Sequence, residues 1–165
     1  MKKINITLKS RELLYDISVT AYIVGDGMPE EAALERYRVQ SAVDEDNVRK
    51  VNMFIARAWR DIITALTAYM NGEDNPETEV DDKLAEREFY SINLLVPEAH
   101  PDDAAVTLAR YVHDYIVNRS LAQWFLLTKK DEAEIYASMA NGDMQSVKRT
   151  ITLRRHPERV KGWLL

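Results

Sequence analysis

Three places along the chain gather side chains able to hold a cation or move a proton. His100, Asp102 and Asp103 fall within four residues and combine an imidazole with two carboxylates, donors suited to a divalent ion. With Pro101 among them, the same residues also make a strong helix start, the acids lying where free N–H groups collect, and this is the simpler reading. His113 and Asp114 pair an imidazole with a carboxylate, as general-base chemistry requires. Neighbours on a helix point about 100° apart, however, and Arg110, four residues before Asp114, is the expected partner of that carboxylate. The segment from Glu73 to Asp82 is rich in acids but lacks the spaced DxDxDG-to-Glu pattern that fixes a calcium shell, so it reads as a solvated loop.

Other chemistries have no footing. Three histidines and no cysteine leave a structural zinc site short of ligands. The residue three before each histidine is Pro97, Arg110 or Leu153, so the Glu-x-x-His pair of di-iron helix bundles is missing. HExxH, GxSxG, Walker A and GxGxxG patterns are absent, and of the five glycines only Gly25 and Gly27 lie close together. The expectation is a protein without catalytic residues, cofactor or metal.

Features that bear on partners are more pronounced. The formal net charge is −5, but residues 144–165 carry six Lys or Arg against Glu158 alone, a balance of +5 that leaves −10 on the rest. The opposite pole lies between Gly72 and Glu88, with eight acids against Lys83 and Arg87. The basic stretch from Lys148 to Lys161 has no interleaved aromatics, and the remaining acidic surface repels a polyanion, so nucleic acid is not the expected partner. Pairing with acidic protein surface, its own or a second subunit's, fits better. The chain ends in Gly162-Trp163-Leu164-Leu165, an apolar terminus that is costly to leave in water. Either it docks on the protein's own core, or Trp163, Leu164 and Leu165, with Arg154 and Arg155 nearby, anchor a second copy or another protein.

The elements that must position these residues follow from periodicity. Asn47 to Met70 places Val48, Val51, Ile55, Ala58, Ile62, Ala65 and Tyr69 at alternating steps of three and four, an amphipathic helix of roughly 36 Å that serves as the core. Acids and Asn47 precede it and Asn71-Gly72 follows. A second long helix spans Pro101 to Leu127, and Asp131 to Ala140 predicts a shorter one closed by Asn141-Gly142. Pro29 opens another that reaches about Val39. Ser10 to Val24 supports two periods: Leu14, Ile17, Ala21 and Val24 suit a helix, whereas Leu13, Tyr15, Ile17, Val19, Ala21 and Ile23 alternate as in a strand. Ser10 as cap and Gly25 with Gly27 as stops favour the helix. Lys3–Lys9, Glu88–Val96 and Val147–Arg155 share an Ile-polar-Leu centre and predict three strands.

The predicted fold is therefore α+β, mainly α, with helices against a small three-stranded sheet in a single domain 1–165. An acidic loop (72–82) and a basic C-terminal segment (144–165) mark its two poles. No apolar run approaches 18 residues and no signal-type apolar region follows Met1, which predicts a cytoplasmic protein with no membrane contact. The expected function is non-catalytic: an intracellular assembly or adaptor protein that oligomerises or docks on a protein partner. The alternative is a small-molecule-binding or minor enzymatic module with a helix–sheet cleft lined by Tyr90, Tyr111, His113 and Tyr115. In general character, short and acidic with a charged tail, the chain is similar to small structural proteins of phage or prophage gene clusters, including head–tail joining and tail components. That likeness rests on no motif and transfers no residues.

Overall fold

The computed structural model describes residues 1–70 and 87–154. Strand β1 (Lys2–Lys9) leads into helix α1 (Ser10–Asp26), a 3-10 turn (Glu30–Ala32) and α2 (Ala33–Gln40). Helix α3 (Val48–Leu66) ends in a second 3-10 turn (Thr67–Tyr69) and is followed by β2 (Phe89–Val96), α4 (Asp102–Thr128) and α5 (Lys130–Ile151). The architecture is α+β and mainly helical, as predicted, but the sheet has two antiparallel strands among the described residues.

The register shows why the Ile-polar-Leu grammar makes strands here. Ile4 pairs with Leu94, Ile6 with Ile92 and Leu8 with Tyr90, and all six side chains are buried. The alternate residues form a polar ladder on the outer face. Asn5 Nδ2 donates to Asn93 Oδ1 (2.7 Å), and Thr7 Oγ1 donates to Asn5 Oδ1 (2.8 Å). Two strands alone are marginal in water, so the buried face depends on the helices laid across it. Trp59 of α3 meets Tyr90 of β2 with ring centroids 5.5 Å apart.

Of the third predicted strand, Val147–Arg155, residues 147–151 are helix and 152–154 follow its end, while Arg155 lies outside the described residues. Residues 147–151 form the last turns of α5, where Val147 and Ile151, four apart, are buried on one side. The alternation Thr150-Ile151-Thr152-Leu153 is shorter than the period-3.6 pattern that precedes it, and the helix imposes its own period. Nor does Asn141-Gly142 end a helix. A Cβ placed on Gly142 meets nothing within 4 Å, so the glycine sits on an open helix surface and interrupts no packing. Helix α5 continues to bring Ala133, Ala140, Val147 and Ile151 against α4.

Helix α1 settles the ambiguity of its segment in favour of the helix, though two signals act otherwise than expected. Ser10 does not cap the helix through its side chain. Its N–H donates to the Glu88 carbonyl (3.0 Å) and its Oγ to the Arg87 carbonyl, so the helix start is tied to the neighbouring strand. Gly25 does not stop the helix either. It is buried inside it, where a Cβ would run into Gln40 Cγ and lie 3.2 Å from the Arg36 carbonyl oxygen; the glycine permits α2 to pack close. Asn47 likewise spends its amide on Ser41, donating to its carbonyl at 2.9 Å, and not on the first turn of α3.

One core runs between sheet and helices. From α3 it takes Val51, Phe54, Ile55, Ala58, Trp59, Ile62 and Leu66, much of the stripe read from the sequence. From α4 it takes Leu108, Val112, Ile116, Leu121 and Phe125. Trp124 Nε1 donates to the Val39 carbonyl (2.9 Å), fastening α4 to α2 through a buried bond. No helix among the described residues is long and apolar enough to cross a membrane.

Candidate functional site

Of the residues expected to bind a partner, Arg154 is exposed just past α5. Its guanidinium donates to the Leu153 carbonyl (2.8 Å), at the end of the helix where carbonyls lack partners. Arg155, Trp163, Leu164 and Leu165 lie outside the described residues, as does the acidic loop 72–82.

The imidazole–carboxylate groupings resolve into separate contacts. His100 is fully buried and its Nε2 lies 3.1 Å from the Thr150 carbonyl of α5, while Asp102 faces outward and accepts from Lys2 Nζ at 2.5 Å. The two side chains thus serve opposite directions, one locking the β2–α4 connection to the end of α5 and the other fixing β1 to the start of α4. Asp114 is met by His113 Nδ1 at 3.5 Å, its sequence neighbour after all, in place of the expected Arg110. The other ring nitrogen of His113, Nε2, reaches Asp16 Oδ2 of α1 at 3.3 Å. His113 therefore stands between two carboxylates at the wall of a groove of about 730 Å³, shared with Lys9, Arg11, Glu12 and Tyr15.

The other members of the expected helix–sheet cleft face different neighbours. Tyr90 meets Trp59 with the two ring planes tilted by 55°, and burial raises its phenol pKa, opposed by the Arg87 charge. Tyr115 donates to Asp61 Oδ2 on α3 at 2.8 Å. Burial first, and then the bond to Asp61 and its charge, push the Tyr115 phenol well above the usual tyrosine range, with Arg119 opposing. Tyr111 is partly buried against the core. On the far side of α4, Asn118 Nδ2 donates to Asp143 Oδ2 of α5 at 2.7 Å. Burial raises the Asp143 carboxyl, the Asn118 bond lowers it, and the charge of Asp114 raises it again.

The feature that sequence reasoning missed lies on α1. Its inner face buries Leu13, Ile17 and Ala21, each without measurable exposure. Its outer face presents Tyr15 (67% exposed), Val19 (37%), Tyr22 (58%) and Ile23 (63%). Residues two apart on a helix point about 200° from one another, so a helix apolar on opposite sides writes a period of two into its sequence. The alternation that imitates a strand is the signal for a two-faced helix. Leu126, Leu127, Ile135 and Met139 are also exposed, the first two in the last turn of α4 and the others in the first half of α5.

Comparison with models of protein families, with curated proteins and with solved structures finds no match in any of the three.

Proposed function

We propose that this protein is a non-catalytic assembly or adaptor protein that works through an exposed helix face. The supporting observation is the outer stripe of α1, four large apolar side chains in a row on a helix whose opposite face already serves the core. Singly exposed apolar residues are ordinary on a protein surface, whereas a contiguous stripe rimmed by charge is characteristic of a contact surface. The titratable side chains of the site have structural employment: His113 bridges α1 and α4, Tyr115 ties α4 to α3, and Asn118 with Asp143 ties α4 to α5.

The test is mass by light scattering after size exclusion over a wide concentration series at low and high salt. The expected result is a mass that rises above 19.0 kDa with concentration and persists at high salt, as apolar contact predicts. A mass that collapses on adding salt would point instead to the charged poles. One observation favours a second reading, a small-molecule site: the Asp16–His113 contact lies in a groove of a size that suits a metabolite. A monomer at all concentrations whose melting temperature rises with an added compound would select that reading.

A further inference from the structure

We infer that the groove between α1 and α4 takes a small aromatic carboxylate, its anion on Arg11 and its ring on Tyr15. This inference rests on the small-molecule reading above, not on the assembly reading, and names the class of ligand. The groove has the volume of a metabolite site, about 730 Å³, and is walled by α1, by Val43 on the α2–α3 connection and by His113 of α4. Most of its charges are spent within the protein. Asp16 Oδ2 lies 3.3 Å from His113 Nε2, and Glu12 Oε1 lies 3.7 Å from Lys9 Nζ. His113 Nδ1 in turn faces Asp114 Oδ1 at 3.5 Å, so both ring nitrogens meet carboxylates and neither is left for a ligand. Arg11 is the exception. It is exposed, lines the groove and makes no hydrogen bond or ion pair among the described residues.

The unspent cation selects the sign of the ligand, and the order of residues on α1 selects its shape. Arg11, Leu14, Tyr15 and Ser18 follow at the spacing of one helix side, and all four line the groove. A guanidinium presents parallel N–H groups that match the two oxygens of a carboxylate. Tyr15 stands one turn beyond Arg11, so a ring attached directly to that carboxylate reaches the phenol, with Leu14 and Val43 as the apolar lining beside it. Inorganic phosphate satisfies Arg11 but leaves this apolar lining in water. An arylalkylammonium suits the lining but meets Arg11 as a like charge. Glu12 and Asp16 on the flank oppose a second negative charge, which favours a monoanion over a dicarboxylate.

The test titrates the full-length protein with naphthoate, naphthylmethylamine and inorganic phosphate in turn, following backbone amide resonances by NMR. The expected result is saturable binding of naphthoate that moves the amides of Arg11, Tyr15 and Val43, with the amine and phosphate weaker by about tenfold or more. Arg11→Gln is expected to weaken naphthoate by about tenfold or more, whereas Arg57→Gln, at an exposed position of α3, leaves it unchanged. Tyr15→Ser is expected to weaken naphthoate and leave the affinity for phosphate as it was. Amide resonances that match the wild type away from each substitution establish that the variants are folded. Amine that moves the same amides as tightly as naphthoate does, or naphthoate binding untouched by Arg11→Gln, overturns the anion assignment and leaves the small-molecule reading standing. Phosphate as tight as naphthoate, or Tyr15→Ser without effect, overturns the ring contact. Absence of binding by all three probes overturns the ligand class, and the small-molecule reading then stands or falls with the melting-temperature screen above.

Discussion

Two glycines inside helices respond in opposite directions to the same substitution. At Gly142, in the interior of α5, an added Cβ meets nothing within 4 Å. Alanine there removes the excess backbone freedom of glycine in the unfolded chain and adds no clash, a gain of about 0.5–1 kcal/mol. For a chain of this length that raises the melting temperature by roughly 1–4 °C. At Gly25 the added Cβ collides with Gln40 Cγ and lies 3.2 Å from the Arg36 carbonyl oxygen, the second of which is backbone. Gln40 must swing away, giving up the 3.2 Å bond from its Nε2 to the Tyr22 carbonyl, and α2 must shift. Overpacking of this kind costs about 1–3 kcal/mol, enough to exceed the gain in helix propensity. Urea denaturation of both variants beside the wild type measures the two signs directly. Were Gly142→Ala to destabilise, Gly142 would be a left-handed helix end and the continuity of α5 through Asn141-Gly142 would be wrong. A stabilising Gly25→Ala would refute the close approach of α1 and α2.

Three further outcomes are expected. Trp124→Phe leaves the buried Val39 carbonyl without its donor and costs about 1–3 kcal/mol by denaturant titration, with the far-ultraviolet spectrum unchanged. Tyr115→Phe removes the 2.8 Å bond to Asp61 and costs about 1 kcal/mol at neutral pH; spectrophotometric titration of the wild type shows one more tyrosine resisting ionisation than the variant does. Asp143 has a folded-state pKa raised above its ordinary value, so the stability tied to it is present below the ordinary carboxylate range and is lost as pH rises through the raised value. Asp143→Asn, which keeps an oxygen for Asn118 and removes the charge, should raise the melting temperature at pH 7, and the difference should vanish as pH falls below the ordinary carboxylate range.

The elements with a single dominant period are legible in the sequence. Val51, Ile55, Ala58 and Ile62 repeat over many turns with nothing competing, and α3 forms along them; Pro101-Asp102-Asp103 announces α4 to within a residue. Misreading arises where two rules disagree over a short stretch. Residues 147–155 satisfy a strand pattern locally, but Val147 and Ile151 belong to a helix already under way, whose packing on α4 extends it. Gly25 and Ser10 have intrinsic preferences for stop and cap, whereas tertiary neighbours use them otherwise: Gln40 and Arg36 press on the one, and Arg87 and Glu88 bond the other. The site is less legible still. Asp16 and His113 lie on different helices and nothing in their spacing joins them. The outer face of α1 is written in the sequence, but in a period shared with a β-strand.

The pairing of Lys9 with Phe89 also sets an order of events while the chain is made. At about 5–20 residues per second, β1 leaves the ribosome roughly 4–16 s before its partner strand exists. Throughout that interval its main-chain N–H and C=O groups face water or any other strand that arrives first. Helices α4 and α5, separated by Lys129 alone, close on each other as soon as both have emerged. The sheet that opens the sequence is thus completed by a long-range closure, and the polar ladder of Asn5 and Thr7 keeps the waiting strand soluble on one side until β2 appears.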